Sequence, residues 1–154
     1  MANDQTDEVR PGLQEVLTGY HIRRASSVFA ADFTAAMAGT GMRQVLFGVL
    51  SVVATNPGIS QGRVGTALGI QRANMVSLAN ELIEGGLMQR SVAPDDRRAF
   101  ALTLTPAGEA LAVDAIERIG RHEDALLADL SSAERILFTR LLQRIHSQAT
   151  VIDE

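Results

Sequence analysis

Gln71, Arg72, Asn74 and Ser77 share a stretch in which Met75, Leu78, Ala79 and Leu82 recur at i, i+3, i+4 and i+7. With that apolar set turned inward, the opposite helix face presents Ala73, Asn74, Ser77 and Glu81, and Gln71 and Arg72 stand at its N-terminal end. The chemistry open to such a face is hydrogen bonding to flat, polar edges. Gln or Asn pairs with adenine, Arg with guanine, and an alanine methyl packs on the thymine methyl in the DNA major groove. A second group follows at Asp95-Asp96-Arg97-Arg98, where two strand-like runs meet. An arginine at such a tip can enter a minor groove, whose negative potential deepens where A·T tracts narrow it, or it can contact phosphate. Ser60, Gln61 and Arg63, at the start of the preceding helix, are further phosphate candidates. The plainer alternative is a solvated helix face beside a charged turn, since Pro-Asp-Asp is good turn chemistry by itself.

The elements that must position these groups can be traced in the same way. A tail over 1–10 precedes a long helix over 13–37, whose apolar residues Leu13, Val16, Leu17, Tyr20, Val28, Phe29, Phe33 and Met37 recur at near-helical spacing. Gly39-Thr40-Gly41 breaks it. A helix over 42–55 is apolar on most sides and is the expected buried hub. After Asn56-Pro57-Gly58, Ser60 caps a third helix ending at Leu68, which Gly62 and Gly65 weaken by roughly 1 kcal/mol each. The fourth helix spans 71–84 and stops at Gly85-Gly86. The returning strand, 99–104, puts Phe100, Leu102 and Leu104 on one face. Thr105 caps a fifth helix with Pro106 in its first position, running to about residue 129. Ser131-Ser132-Ala133-Glu134 is a capping box for the last. The order helix, turn, helix, strand, basic tip, strand predicts a mostly α fold with a small β-hairpin wing (α+β), a winged helix-turn-helix. The lobe occupies 39–105, and the helices of 11–38 and 106–154 are left for dimerisation.

Composition narrows the function classes. The 154 residues contain no cysteine, which excludes disulfides, thiolate metal sites and thiol redox sensing. His21, His122 and His146 show no ligand spacing, and neither a nucleophile–base set nor a glycine-rich phosphate loop occurs, so neither metal, cofactor nor enzyme chemistry is expected. The longest apolar run, 45–54, is too short to span a membrane and no signal core follows Met1, so the expected location is the cytoplasm. The net charge of −4 is unevenly spread, +1 over 57–105 against −4 from Pro106 onward, and every basic residue is Arg. Acidity thus sits away from the proposed DNA face. On the first helix, Tyr20, His21 and Arg24 combine an aromatic ring, an imidazole and a guanidinium, a set suited to an anionic aromatic ligand unless Tyr20 is simply core. Phe29, Phe33 and Phe47 are expected in the core.

The chain resembles the MarR family of bacterial transcriptional regulators over nearly its whole length. The matching residues are Ile59-Ser60-Gln61 with Val64, Leu68-Gly69-Ile70, and Leu82-Ile83-Glu84-Gly85-Gly86-Leu87. Asp96-Arg97-Arg98 followed by Leu102-Thr103-Leu104-Thr105-Pro106-Ala107-Gly108 matches best. The resemblance implies a homodimer held by the first, fifth and sixth helices, binding to palindromic double-stranded operator DNA, and release by a small effector, often an aromatic acid. It implies further that Arg98 enters the minor groove, that Asp96 holds the loop or orients an arginine, and that Arg97 contacts phosphate. The phrase over 19–26 is similar to members controlling hydroxycinnamate catabolism, which sense the acid or its coenzyme A thioester. Gln71 departs from the Ser or Thr common at its position, and Gly62 and Gly65 replace commoner helix formers. The rival expectation is a helical dimeric protein-interaction module with a purely structural hairpin and no DNA binding.

Overall fold

The computed structural model describes residues 12–92 and 100–149. A single 3-10 turn, Leu13–Val16, precedes α1 (Thr18–Ala36). There follow α2 (Gln44–Thr55), β1 (Ile59–Ser60), α3 (Gln61–Leu68), α4 (Arg72–Glu84), β2 (Met88–Val92), β3 (Phe100–Leu104), α5 (Pro106–Leu126) and α6 (Ser132–Ala149). The mostly helical winged architecture is as expected, with six α-helices and one small antiparallel sheet among the described residues.

The hub is α2. Leu46, Val49, Leu50 and Val53 are buried at i, i+3, i+4 and i+7, the spacing that puts four side chains on one helical stripe. Around it pack Phe33 and Met37 from α1 and its end, Val64 from α3, Met75, Ala79 and Leu82 from α4, Met88, Leu102 and Leu104 from the sheet, and Ala115 from α5. One cluster therefore connects every element except the 3-10 turn and α6, neither of which buries a residue among those described.

The sheet has three strands in the order β1-β3-β2, where the sequence reading gave a two-stranded hairpin. Ile59 pairs with Leu102 and Ser60 with Ala101, and the Gly58 amide donates to the Leu102 carbonyl at 2.8 Å. Two residues are too few to show an alternating pattern, so the pairing is set by the turn before β1 and not by periodicity. The expected long first helix is also broken. Leu17 is extended (φ −95°, ψ 124°) between the 3-10 turn and α1. The apolar spacing continues through this break, but Leu13 is 97% exposed and Val16 87%, so among the described residues these two side chains are left uncovered. Isolated turns gain too little from backbone bonds alone to propagate. α5 likewise ends at Leu126, short of 129.

Capping follows the sequence closely. Thr105 Oγ1 accepts from the Gly108 amide (3.1 Å) and donates to the Gly86 carbonyl (2.6 Å), while the Thr105 amide donates to the Leu87 carbonyl (3.1 Å). Here the start of α5 is clamped to the turn that ends α4. Gly108 is buried against Leu87, and a Cβ built there would fall well inside the Leu87 carbonyl oxygen. Gly65 is a milder case. Its Cβ would stand 3.0 Å from the Ile70 carbonyl oxygen and against Met75, so the glycine that weakens α3 as a helix lets α4 pack closely on it. At the other capping box the Ser131 amide and hydroxyl both donate to the Glu134 carboxylate (2.8 and 2.6 Å) and the Glu134 amide donates to Ser131 Oγ (3.4 Å).

Two predictions follow from these contacts. Gly108→Ala forces backbone apart and is expected to destabilise by about 3 kcal/mol or more in urea unfolding. Gly62→Ala, with open space around its Cβ, is expected to stabilise by about 0.5 kcal/mol. Equal midpoints for the two variants would refute the close approach at Leu87. The Ser131 hydroxyl and then the Ser131 amide hold the Glu134 carboxyl below the ordinary glutamate range. A folded-state value depressed in this way contributes stability above the unfolded glutamate pKa of about 4.3, and that contribution is lost as pH falls through the folded value. An NMR titration should find Glu134 titrating below that range in the wild type and returning to it in Ser131→Ala.

Candidate nucleic-acid interface

The two helices after β1 carry the candidate residues. In α3, Ser60 is the N-cap and accepts from the Arg63 amide at 3.4 Å, with Gln61 half-buried and Arg63 exposed in the first turn. Gly69 turns the chain in the left-handed region (φ 64°), and α4 begins at Arg72. Its N-cap, Gln71, has the extended backbone a cap needs but makes no side-chain capping bond, so the amide remains available. Gln71, Arg72, Asn74 and Ser77 are all exposed, opposite the buried Met75, Ala79 and Leu82. Among the described residues, the side chains of Gln61, Arg63, Gln71, Arg72, Asn74 and Ser77 make no hydrogen bond or ion pair. The donors at the beginnings of α3 and α4 are thus uncommitted.

The local electrostatics have a direction. α5 and α6 carry Glu109 and Glu134 in their first turns, which complement the positive end of the helix dipole. α3 and α4 have no acid there and carry Arg63 and Arg72 instead. That choice is unfavourable for an isolated helix and favourable toward an anion, because unpaired amides, helix dipole and guanidinium all point the same way.

Three features of this face escape the sequence. Glu81, on the outward side of α4, forms a salt bridge with Arg43, the N-cap of α2. The two lie 38 residues apart, beyond the reach of any helical spacing rule. Asn80 accepts from Arg90 of β2, which ties α4 to the strand that follows it. Val76 is 40% exposed on α4, an apolar group on an otherwise polar face, where a thymine methyl is the natural base contact. The wing residues Asp96, Arg97 and Arg98 lie outside the described residues; the strands that carry them, β2 and β3, are paired from Met88↔Leu104 to Val92↔Phe100.

On α1, Tyr20, His21 and Arg24 are brought together. Tyr20 is buried, His21 sits edge-on to it with ring centroids 5.2 Å apart, and Arg24 Nη1 donates to the Tyr20 hydroxyl at 3.5 Å. The Arg24 guanidinium is 5.9 Å from the Tyr20 ring centroid. His21 Nε2 is 2.7 Å from the Glu15 carbonyl oxygen, across the break at Leu17. Elsewhere His122 pairs with Asp32 at 3.1 Å, joining α5 to α1. Among the described residues no group of histidines and carboxylates has the arrangement of a metal site, and no helix is long and apolar enough to cross a membrane.

The MarR family model matches residues 41–99. A protein of Thauera aromatica named as a regulator of the hcr operon is 33% identical over 148 residues, covering 96% of this chain and 89% of the relative. The transcriptional repressor CouR, solved bound to a 23-mer DNA duplex, superposes with a TM-score of 0.85 at 34% identity, over 90% of this chain and 99% of its own. The PcaV regulator of Streptomyces coelicolor, solved with its natural ligand, superposes with a TM-score of 0.77 at 25% identity, over 97% and 99% of the two chains. These likenesses decide against both an enzyme and a non-DNA-binding interaction module. The chain belongs to the MarR family of DNA-binding transcriptional regulators.

Proposed function

We propose that this regulator is a homodimeric repressor of a palindromic operator, released by a small aromatic acid or its coenzyme A thioester. The observation that carries the DNA half is the set of uncommitted, exposed polar side chains at the first turns of α3 and α4, both of which lack acids. In this reading Gln71, Arg72, Asn74 and Ser77 meet base edges in the major groove. Ser60, Gln61 and Arg63 meet phosphate. Arg98 enters the adjacent minor groove, Arg97 contacts the backbone and Asp96 holds the loop. CouR's capture on a DNA duplex supports the same mode of action.

The homodimer is supported by apolar surface that one chain leaves uncovered. Val113 and Ile116 on α5, Ile136, Leu137, Leu141 and Ile145 on α6, and Leu13, Val16 and Leu17 before α1 are all exposed. Apolar surface concentrated in this way is costly in water and marks an interface. A two-fold dimer puts two α4 helices on half-sites about one helical turn apart, near 34 Å, so the operator is an inverted repeat. The effector reading rests on Tyr20, His21 and Arg24, where a buried ring lies beside a cation, and on PcaV having been solved with its ligand. An effector acts only by binding the released geometry better than the DNA-competent one.

Arg98→Ala is expected to weaken binding to the operator upstream of the regulator's own gene by roughly 10- to 100-fold, the worth of one groove-inserted arginine, with the dimer intact in sedimentation. Arg72→Ala should lose a similar factor and relax base preference under α4. In the wild type, affinity should fall steeply between 50 and 200 mM salt, on the order of 10³-fold, because several phosphates are neutralised. Unchanged gel-shift affinity in Arg98→Ala would overturn the wing assignment.

A further inference from the structure

The exposed side of α4 divides into two stripes. Asn74, Ser77 and Glu81 lie at i, i+3 and i+7, and Ala73, Val76 and Asn80 repeat that spacing beside them. The first stripe is polar throughout. The second carries two apolar side chains, and Val76 is 40% exposed there. Each stripe is tied at its C-terminal end to a different element: Glu81 to Arg43 at the start of α2, and Asn80 to Arg90 of β2. Ties to two elements hold the rotation of α4 about its own axis, which decides which side chain meets which base.

A single exposed valine is ordinary on a protein surface. Val76 is set apart by its place. Every other large apolar side chain that is exposed among the described residues lies before α3 or after β3. Val76 stands outside the core cluster, in the second turn of the helix whose N-terminal turns are proposed to enter the major groove. Helix formation gives no reason for its type. The branched Cβ of valine loses rotamer freedom against the preceding turn, so alanine would suit an exposed helical position better. The apolar group that the major groove offers such a side chain is the C5-methyl of thymine.

We propose that Val76, flanked by Ala73, packs on the C5-methyl group of a thymine and sets the base preference at one position of each half-site. Asn74 and Ser77, on the adjoining stripe, read polar base edges beside it. The face of α4 is thus split between a shape-reading side and a hydrogen-bonding side. Cytosine in the same place presents no methyl, so thymine is preferred to it, and 5-methylcytosine restores the contact in part. This assignment deepens the proposed operator binding by α4 and rests on it.

The test starts from the duplex that full-length wild type selects out of a random pool. Each thymine of that site is replaced in turn by deoxyuridine, which removes the methyl and nothing else, and affinity is read by fluorescence anisotropy at fixed salt. Wild type should lose about fourfold per half-site at one thymine, the worth of one buried methyl group. Val76→Ala should bind the unsubstituted site more weakly by a similar factor and be indifferent to deoxyuridine at that thymine. Its salt dependence should match the wild type's, because no phosphate contact is lost, and its melting temperature should be no lower. Asn74→Ala should bind more weakly yet keep the deoxyuridine penalty. Wild-type affinity unmoved by deoxyuridine at every thymine would overturn the inference. So would an undiminished penalty in Val76→Ala, which would assign the methyl to Ala73 or another side chain. A wild type that retains no duplex from the pool would instead count against the operator reading and end this inference with it.

Discussion

The approach of α5 to the turn that ends α4 is the contact on which the arrangement of the two halves depends. Gly108 lies against the Leu87 carbonyl, and Thr105 reaches both Gly86 and Leu87 through its hydroxyl and amide. The same threonine caps α5 by accepting from Gly108, so one residue fixes where the fifth helix starts and where the fourth stops. Because no side chain fits between Gly108 and Leu87, the two backbones meet directly and transmit displacement without a compliant layer. Interiors packed this closely shift between discrete arrangements instead of deforming gradually. The Leu-Thr-x-x-Gly phrase of the sequence is therefore a mechanical joint between α4, the helix proposed to read DNA, and α5, which bears part of the exposed apolar face.

Charge is organised around that joint by position and not by total. The chain is acidic overall, at −4, yet acids are missing from the first turns of α3 and α4 and present in those of α5 and α6. Arg63 and Arg72 forgo the small gain that an acid would give there, worth about 0.3–1 kcal/mol per helix. Glu81, an exposed acid of α4, is neutralised from another helix by Arg43. Three acids of α5 and α6 are engaged locally: Asp114 with Arg118 at 2.6 Å, Asp124 with Arg135 at 2.7 Å, and Glu134 with its own cap. Net charge is thus a poor guide to this surface.

Most of the fold could be read from the sequence because its signals are local. The stripe of Met75, Ala79 and Leu82, the Ser60 and Thr105 caps, Pro106 at the first position of α5 and the Ser131–Glu134 box are each set within one or two helical turns, and each occurs as spaced. What could not be read is set by distant partners. β1 exists because Gly58 and Ile59 find Leu102, more than forty residues away, and Arg43 finds Glu81 across a gap of 38. Gly65 looks like a helix defect until Ile70 and Met75 are seen against it. On α1 the apolar spacing was seen but its meaning was not: Tyr20, Phe33 and Met37 turn into the core, while Leu13, Val16, Leu17 and Val28 stay outside it. Periodicity tells that a face is apolar; it does not tell whether the cover belongs to the same chain.

That ambiguity bears on mechanism. α6 buries none of its described residues, and one chain leaves the 3-10 turn before α1 almost fully exposed. Elements in this state draw their order from whatever covers them, since backbone hydrogen bonds alone leave short helices marginal. If a second copy supplies the cover, formation of the apolar interface and placement of the two α4 helices become one event, because α5 contributes to both: Val113 and Ile116 face outward, Ala115 packs on the α2 hub, and Gly108 abuts the end of α4. Operator spacing is fixed by DNA geometry, so binding is sensitive to the angle at which α5 crosses its partner, and a ligand needs only a small differential free energy between two crossings to decide it.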